Sequence, residues 1–282
     1  MIVSVDGADL FYETRGTGYP CIVPSILGTT VFERLLPPPL TDAFRFACVD
    51  LRGGGRSTGD PASLTFDVLA RDLDAVRLHL GASRVAVLGY SIVGVVALEY
   101  GRRFPETVSH VIMAGTPPAA DLQALVRAST MFFASDGSPE RKAVLAENMA
   151  RLPAGTPPAQ AVFAQTPMRF FDPGVDAAAL FADAQFNARL VEHVLGPLTA
   201  RWNVLDGVES LRVPTLLAHG RHDYTVPYTM WTDVIDRVPN ATLHLFERSG
   251  HQAFYEEPVL FAQVVRTWMA TTEAATARDV RR

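Results

Sequence analysis

Val85-Ala86-Val87-Leu88-Gly89-Tyr90-Ser91-Ile92-Val93-Gly94-Val95-Val96-Ala97-Leu98-Glu99-Tyr100 decides the fold. Its first half is a short, valine-rich apolar run, the pattern of a buried strand, and its second half reads as a helix. Ser91 lies at the junction, with glycine two residues before it. Such a strand-to-helix turn lifts a serine hydroxyl above a sheet and leaves backbone N–H groups beside it to hold an oxyanion. The plainer reading of the same residues is a serine N-cap on a buried helix. Context decides between them.

A serine hydroxyl is a poor nucleophile at neutral pH and needs a base, which in turn needs an orienting partner. Two further strand-like runs supply both. Pro214-Thr215-Leu216-Leu217-Ala218-His219-Gly220 leads into Arg221-His222-Asp223, which places an acid just past a strand's carboxyl end. Ala241-Thr242-Leu243-His244-Leu245-Phe246 leads into Glu247-Arg248-Ser249-Gly250-His251. Ser91, Asp223 and His251 therefore all fall in loops after strands, where open α/β sheets place ligands. Their order along the chain is Ser, Asp, His. Asp121 is the nearest carboxylate after the run 108–114 and lies too far on to serve as the acid. The remaining histidines read as packed or surface residues, with His222 a weaker candidate for tuning the acid.

These residues, together with three further segments, resemble the α/β-hydrolase-fold serine hydrolases over nearly the whole chain. Gly18-Tyr19-Pro20-Cys21-Ile22-Val23-Pro24-Ser25-Ile26-Leu27-Gly28 resembles the family's third strand and oxyanion loop. Val49-Asp50-Leu51-Arg52-Gly53-Gly54-Gly55-Arg56-Ser57 resembles its Asp-x-Arg-Gly-x-Gly-x-Ser segment. Ser249-Gly250-His251-Gln252-Ala253-Phe254-Tyr255-Glu256-Glu257-Pro258 resembles its Gly-His loop and the start of its last helix. The resemblance implies an α/β fold with a mostly parallel, doubly wound sheet and an inserted helical cap. It also implies a Ser91–His251–Asp223 triad and an oxyanion hole made by the backbone N–H groups of Ile26 and Ile92. Two departures stand out. Pro24-Ser25 replaces the usual His-Gly, and Val93 stands where the family prefers a small residue that lets the helix pack closely on the strand. Val93 thus predicts a displaced helix or a reshaped elbow, with Gly94 as partial compensation.

Alternating strand and helix signals agree with such a sheet. Residues 2–6 and 9–15 read as an opening hairpin, and strands follow near 21–24, 46–50, 85–89 and 108–114. A helix is expected over about 65–80, starting after Ser63 and ending before Gly81. Core segments are expected at 1–118 and 208–282. Between them, 119–207 turns helical and reads as the cap. Its apolar residues predict a pocket for hydrocarbon or aromatic bulk, lined by Tyr90, Phe132, Phe133, Met168 and Phe171, under a movable lid hinged near 153–158.

Composition narrows the function further. The chain has 282 residues, 48% of them hydrophobic, which suits one large α/β unit with an insertion. A formal charge of −5 and the absence of a basic tract give no case for nucleic acid. No apolar run approaches membrane-span length, and the start Met1-Ile2-Val3-Ser4-Val5-Asp6 lacks a signal-peptide pattern, so a cytoplasmic setting is expected. Cys21 and Cys48 read as reduced core residues. No metal or organic cofactor is required by the chemistry, and the one partner expected is a small-molecule substrate; oligomeric state is not legible. The expected function is hydrolysis of an ester or lactone. Proline-iminopeptidase-like amide cleavage is the enzymatic alternative, with Glu140, Glu147, Asp172 or Asp176 holding a substrate ammonium. A non-hydrolytic tailoring enzyme or ligand-binding protein on the same fold is the other.

Overall fold

A computed structural model describes residues 1–156 and 161–279. Asp6 and Gly7 both take positive φ, 44° and 75°. That is the two-residue turn whose twist suits a hairpin, and it joins β1 (Ile2–Val5) to β2 (Ala8–Arg15). β3 (Tyr19–Ser25), β4 (Phe44–Asp50), β5 (Val85–Tyr90), β6 (Val108–Ala114), β7 (Thr215–Gly220) and β8 (Ala241–Phe246) complete the sheet. The strand order is β1-β2-β4-β3-β5-β6-β7-β8. β1, β2 and β4 pair antiparallel, and every pairing from β4 through β8 is parallel.

Parallel strands are buried on both faces, so their sequences run apolar without a visible alternation. The period of two is present all the same. In β5, Val85 and Val87 enter one core, while Ala86, Leu88 and Tyr90 enter the other. The first core is covered by α1 (Phe66–His79) and α2 (Val93–Arg103). α1 is capped by Thr65, whose hydroxyl accepts the Val68 N–H, and not by Ser63. Ser63 belongs to a preceding 3₁₀ turn, Pro61–Ser63, which the Asp60 side chain caps. Between β6 and β7 the chain forms α3 (Leu122–Asp136), α4 (Pro139–Ala150) and a series of short turns. The Ala119–Asn203 bridge joins the two ends of this insertion. α5 (Pro258–Asp279) covers the second core, where Phe261, Val265 and Trp268 pack.

This order brings the functional loops together. After β3 the chain turns back to β4, then crosses β3 to form β5, so β3 lies between them and the carboxyl ends of β3 and β5 are neighbours at the point where winding reverses. Crevices form at such points. Ser25 ends β3 and Tyr90 ends β5, so the loops that Ile26 and Ser91 open leave neighbouring strands at the same edge of the sheet. Among the described residues no helix is long and apolar enough to cross a membrane.

Candidate active site

Ser91 takes φ of +55°, a left-handed conformation that costs a side-chain-bearing residue roughly 1–2 kcal/mol. Three bonds hold it there. Its N–H donates to Ala114 O (2.8 Å), and its carbonyl accepts from Gly94 N–H (3.0 Å) and from the Thr116 hydroxyl (2.9 Å). Close packing is made one residue later than the sequence led us to expect. A Cβ on Gly89 would meet Gly94 N and Ala97 Cβ, each at 2.8 Å, and a Cβ on Gly94 would collide with the Thr116 side chain. The helical phase after the elbow turns Gly94 to the strand and Val93 into the core, where it is buried. Val93 therefore does not keep α2 from its close contact with β5.

The Ser91 hydroxyl lies 3.0 Å from His251 Nε2, and His251 Nδ1 lies 2.7 Å from Asp223 Oδ2. A carboxylate only accepts, so Nδ1 carries the proton and Nε2 is left to accept from Ser91. Asp223 is fully buried. Its other oxygen accepts the Thr225 and Val226 amides at 2.9 and 2.8 Å, which fixes the carboxylate's rotation. His251 is buried as well, and burial pushes its imidazole below the ordinary histidine value, with Asp223 opposing that and Arg169 adding to it. The free imidazole is thus neutral near pH 7, the state a general base needs. The structure brings together all three residues that the sequence singled out. Ser91 itself is partly exposed.

In the loop after β3, the Ser25 hydroxyl donates to Gly28 O and accepts from Leu27 N–H, both at 3.0 Å. It fills the turn that carries Ile26. Leu51 N–H donates to Ser25 O (3.0 Å), and Gln185 N–H, from the insertion, donates to Leu27 O (2.7 Å). Among the described residues the amides of Ile26 and Ile92 donate to no group of the chain. Ile26, Leu27 and Ile92 are partly exposed apolar side chains on these two loops.

The residues expected to line a pocket have the following surroundings. Tyr90 backs the histidine: its ring centroid is 5.1 Å from that of His251, and its hydroxyl accepts from Arg169 (3.1 Å) and Gln252 (2.5 Å). Phe132 and Phe133 pack on Tyr224, with centroids 5.3 and 5.1 Å away, and Phe171 packs on His222 at 5.1 Å. Met168 lends its carbonyl to Tyr224 N–H (3.0 Å). These residues therefore gather around the loop that bears Asp223. Pro157 and Pro158 of the expected hinge lie outside the described residues. His222 turns to Phe171 and the Tyr224 hydroxyl (3.3 Å). His219 is wholly buried, and burial pushes its imidazole down to about 4, so it is neutral. A surface groove of about 990 Å³ between the short helix Pro38–Ala43 and α5 shares no residue with the site.

Sequence reasoning missed Thr116, Gln185 and Glu256. Thr116 was legible in part, because the parallel register Tyr90↔Ala114 carries the residue two past β6 to the elbow. Glu256 accepts the Phe171 amide (2.6 Å) and the Gly250 amide (2.8 Å), and nothing local in the sequence marks those partners.

Comparison with known proteins bears on the fold. The profile of the alpha/beta hydrolase fold family matches residues 21–258. The chain is 30% identical over 274 residues to the AB hydrolase superfamily protein YclE of Bacillus subtilis (strain 168), covering 94% of this chain and 96% of that one. Among solved structures it resembles the proline iminopeptidase of Mycobacterium smegmatis, with a TM-score of 0.73 and 22% identity over 98% of this chain and 99% of the other. It also resembles an esterase from Exiguobacterium antarcticum, with a TM-score of 0.69 and 22% identity over 95% and 98%. At that identity the two structures speak for the fold.

Proposed function

The chain belongs to the alpha/beta hydrolase fold family, and from that premise we propose that it is a serine hydrolase cleaving an ester or lactone of a small, largely apolar substrate. The observation that carries this reading is the unbroken line from Ser91 Oγ through His251 to Asp223, with bonds of 3.0 and 2.7 Å. Ser91 attacks the carbonyl carbon as His251 Nε2 takes its proton, while Asp223 holds the imidazole by Nδ1 and stabilises its charged form. The carbonyl oxygen becomes negative in the transition state and is met by the Ile26 and Ile92 amides, whose N–H groups have no acceptor among the described residues. His251 then gives its proton to the leaving oxygen. Water, activated by the same histidine, attacks the acyl-enzyme and releases the acid with Ser91 restored. Ile92 follows the serine, Ile26 and Leu27 open the loop after β3, and these partly exposed apolar side chains suit a hydrocarbon acyl group.

Residues 119–207 act as the cap in this reading. The proline-iminopeptidase alternative asks that cap for a free carboxylate to hold a substrate ammonium. Its four candidates are exposed, and all four are engaged locally. Glu147 pairs with Arg151 (2.5 Å), Asp172 accepts Gly174 N–H (2.8 Å), and Asp176 accepts Ala179 N–H (2.9 Å). Glu140 sits in the first turn of α4, where it is drawn to its own backbone and to Ser138. The binding-protein alternative rested on Pro24-Ser25 and Val93. Neither disrupts the loops around Ser91, which supports hydrolysis over mere binding. Turnover of short-chain and medium-chain p-nitrophenyl esters and of simple lactones, set against a prolyl p-nitroanilide, tests the assignment. Faster ester or lactone cleavage is expected. Faster prolyl release would overturn it.

A further inference from the structure

Building on His251 as the general base, we propose that Glu256 is a positioning residue that clamps the insertion strip Met168–Phe171 to the His251 loop, making the strip a fixed strut of the site. The strip's main chain bonds both loops of the acid–base pair. Met168 O accepts from Tyr224 N–H (3.0 Å), one residue past Asp223, and Arg169 O accepts from the N–H of His251 itself (2.6 Å). Glu256 closes the arrangement from the core side. One of its oxygens takes the Phe171 amide and the other takes the Gly250 amide, so a single carboxylate holds the residue before His251 and the end of the strip. The contact is tight, since a Cβ on Gly250 would come within 2.7 Å of Arg169 C and 2.8 Å of Phe170 Cα. From the outer side, the Arg141 guanidinium donates to Pro167 O and Phe170 O, each at 2.7 Å, and to Phe171 O at 2.5 Å. Phe170 is fully buried in the core between these braces. A segment held in this way does not swing as a lid, and any opening of the cap belongs to other parts of the insertion.

The clamp has a chemical requirement. Two N–H donors converge on it from two elements, and an ionised carboxylate offers both an acceptor. A protonated carboxyl, or glutamine, replaces one acceptor with a donor and loses one of the two bonds. The charged groups on the elements around Glu256 are Arg221, His222 and Asp223 on the acid loop, Arg169 on the strip with Asp172 just past it, Arg141 of α4 on the strip's outer side, and Glu247, Arg248, His251 and Glu257 on its own loop. Burial pushes the Glu256 carboxyl up to about 7, the Phe171, Gly250 and Gln252 amides pull against that, and Asp223 adds to it. The clamp is therefore set well above pH 7 and released progressively as the pH falls through about 7.

The pH dependence of kcat for p-nitrophenyl acetate, measured in wild type and Glu256→Gln, tests this. Wild-type kcat should rise with pH through about 7. The variant should lose tenfold or more in kcat at pH 8 with KM within twofold, and its remaining acid limb should move to lower pH than in wild type, where His251 alone titrates. A residue of purely structural importance would lower kcat without moving the limb. A variant with kcat within twofold of wild type and the limb in place overturns the clamp, provided wild-type Ser91 is labelled by a fluorophosphonate. Wild type that is not labelled refutes the serine-hydrolase reading, and this inference with it. Hydrogen exchange of the wild-type protein needs no variant to fold. Peptides covering 167–171 and 249–252 should be protected together, and exchange of the strip as fast as an exposed loop refutes the strut.

Discussion

Replacing Asp223 with asparagine should disable the base while leaving the fold intact, and the structure sets the size of the effect. Asp223 accepts three bonds, from His251 Nδ1 at 2.7 Å and from the Thr225 and Val226 amides at 2.9 and 2.8 Å. Asparagine has one carbonyl oxygen and one NH₂ group. The oxygen must face the two amides, because the opposite orientation sets a donor against two donors. The NH₂ group then faces His251 Nδ1 and forces the proton onto Nε2, which becomes a donor toward Ser91 and cannot take its proton. Restoring the working tautomer leaves two buried amides unsatisfied at about 1–3 kcal/mol each. The resulting 2–6 kcal/mol corresponds to a loss in kcat of roughly 30-fold to 10⁴-fold at about 1.4 kcal/mol per decade. Steady-state hydrolysis of p-nitrophenyl butyrate, with circular dichroism to confirm folding, reads the result. Asp223→Asn retaining more than about a tenth of wild-type kcat refutes the tautomer argument.

Two further outcomes follow from the loops beside Ser91. Gly94→Ala places a methyl against Thr116 and should cost about 2 kcal/mol net of its better helix propensity, lowering Tm by roughly 4–8 °C in a scanning calorimeter; an unchanged Tm contradicts the packing. Ser25→Ala removes both bonds inside the Ile26 turn and should lower kcat by about 5-fold to 100-fold, taking each bond at 0.5–1.5 kcal/mol. Ser25→Thr, which keeps the hydroxyl, should restore most of that activity; equal loss in both variants assigns the effect to bulk and not to the hydrogen bonds.

The sheet was legible because parallel strands are apolar runs with little else in them. The expected strands at 21–24, 85–89 and 108–114 correspond to β3, β5 and β6 with ends moved by no more than two residues. Ser91, Asp223 and His251 were legible because each follows such a run, and the topology then converges them. Features set by helical phase were harder to read. Gly94, not residue 93, meets β5, and Thr65, not Ser63, caps α1. Side-chain type alone could not say whether Phe132, Phe133 and Phe171 line a cavity or wrap the acid loop, since both burials look the same in sequence. Bonds from main-chain carbonyls, such as Arg169 O to His251, leave no mark in the sequence because every residue carries that group.

The central claim is that Ser91 is a nucleophile activated by His251. Intact-protein mass spectrometry after exposure to a fluorophosphonate tests it most directly, with peptide mapping and Ser91→Ala as the control. The account predicts one adduct, on Ser91, and neither adduct nor ester turnover in the variant. A folded wild-type protein that takes no adduct, or an adduct that persists in Ser91→Ala, contradicts it.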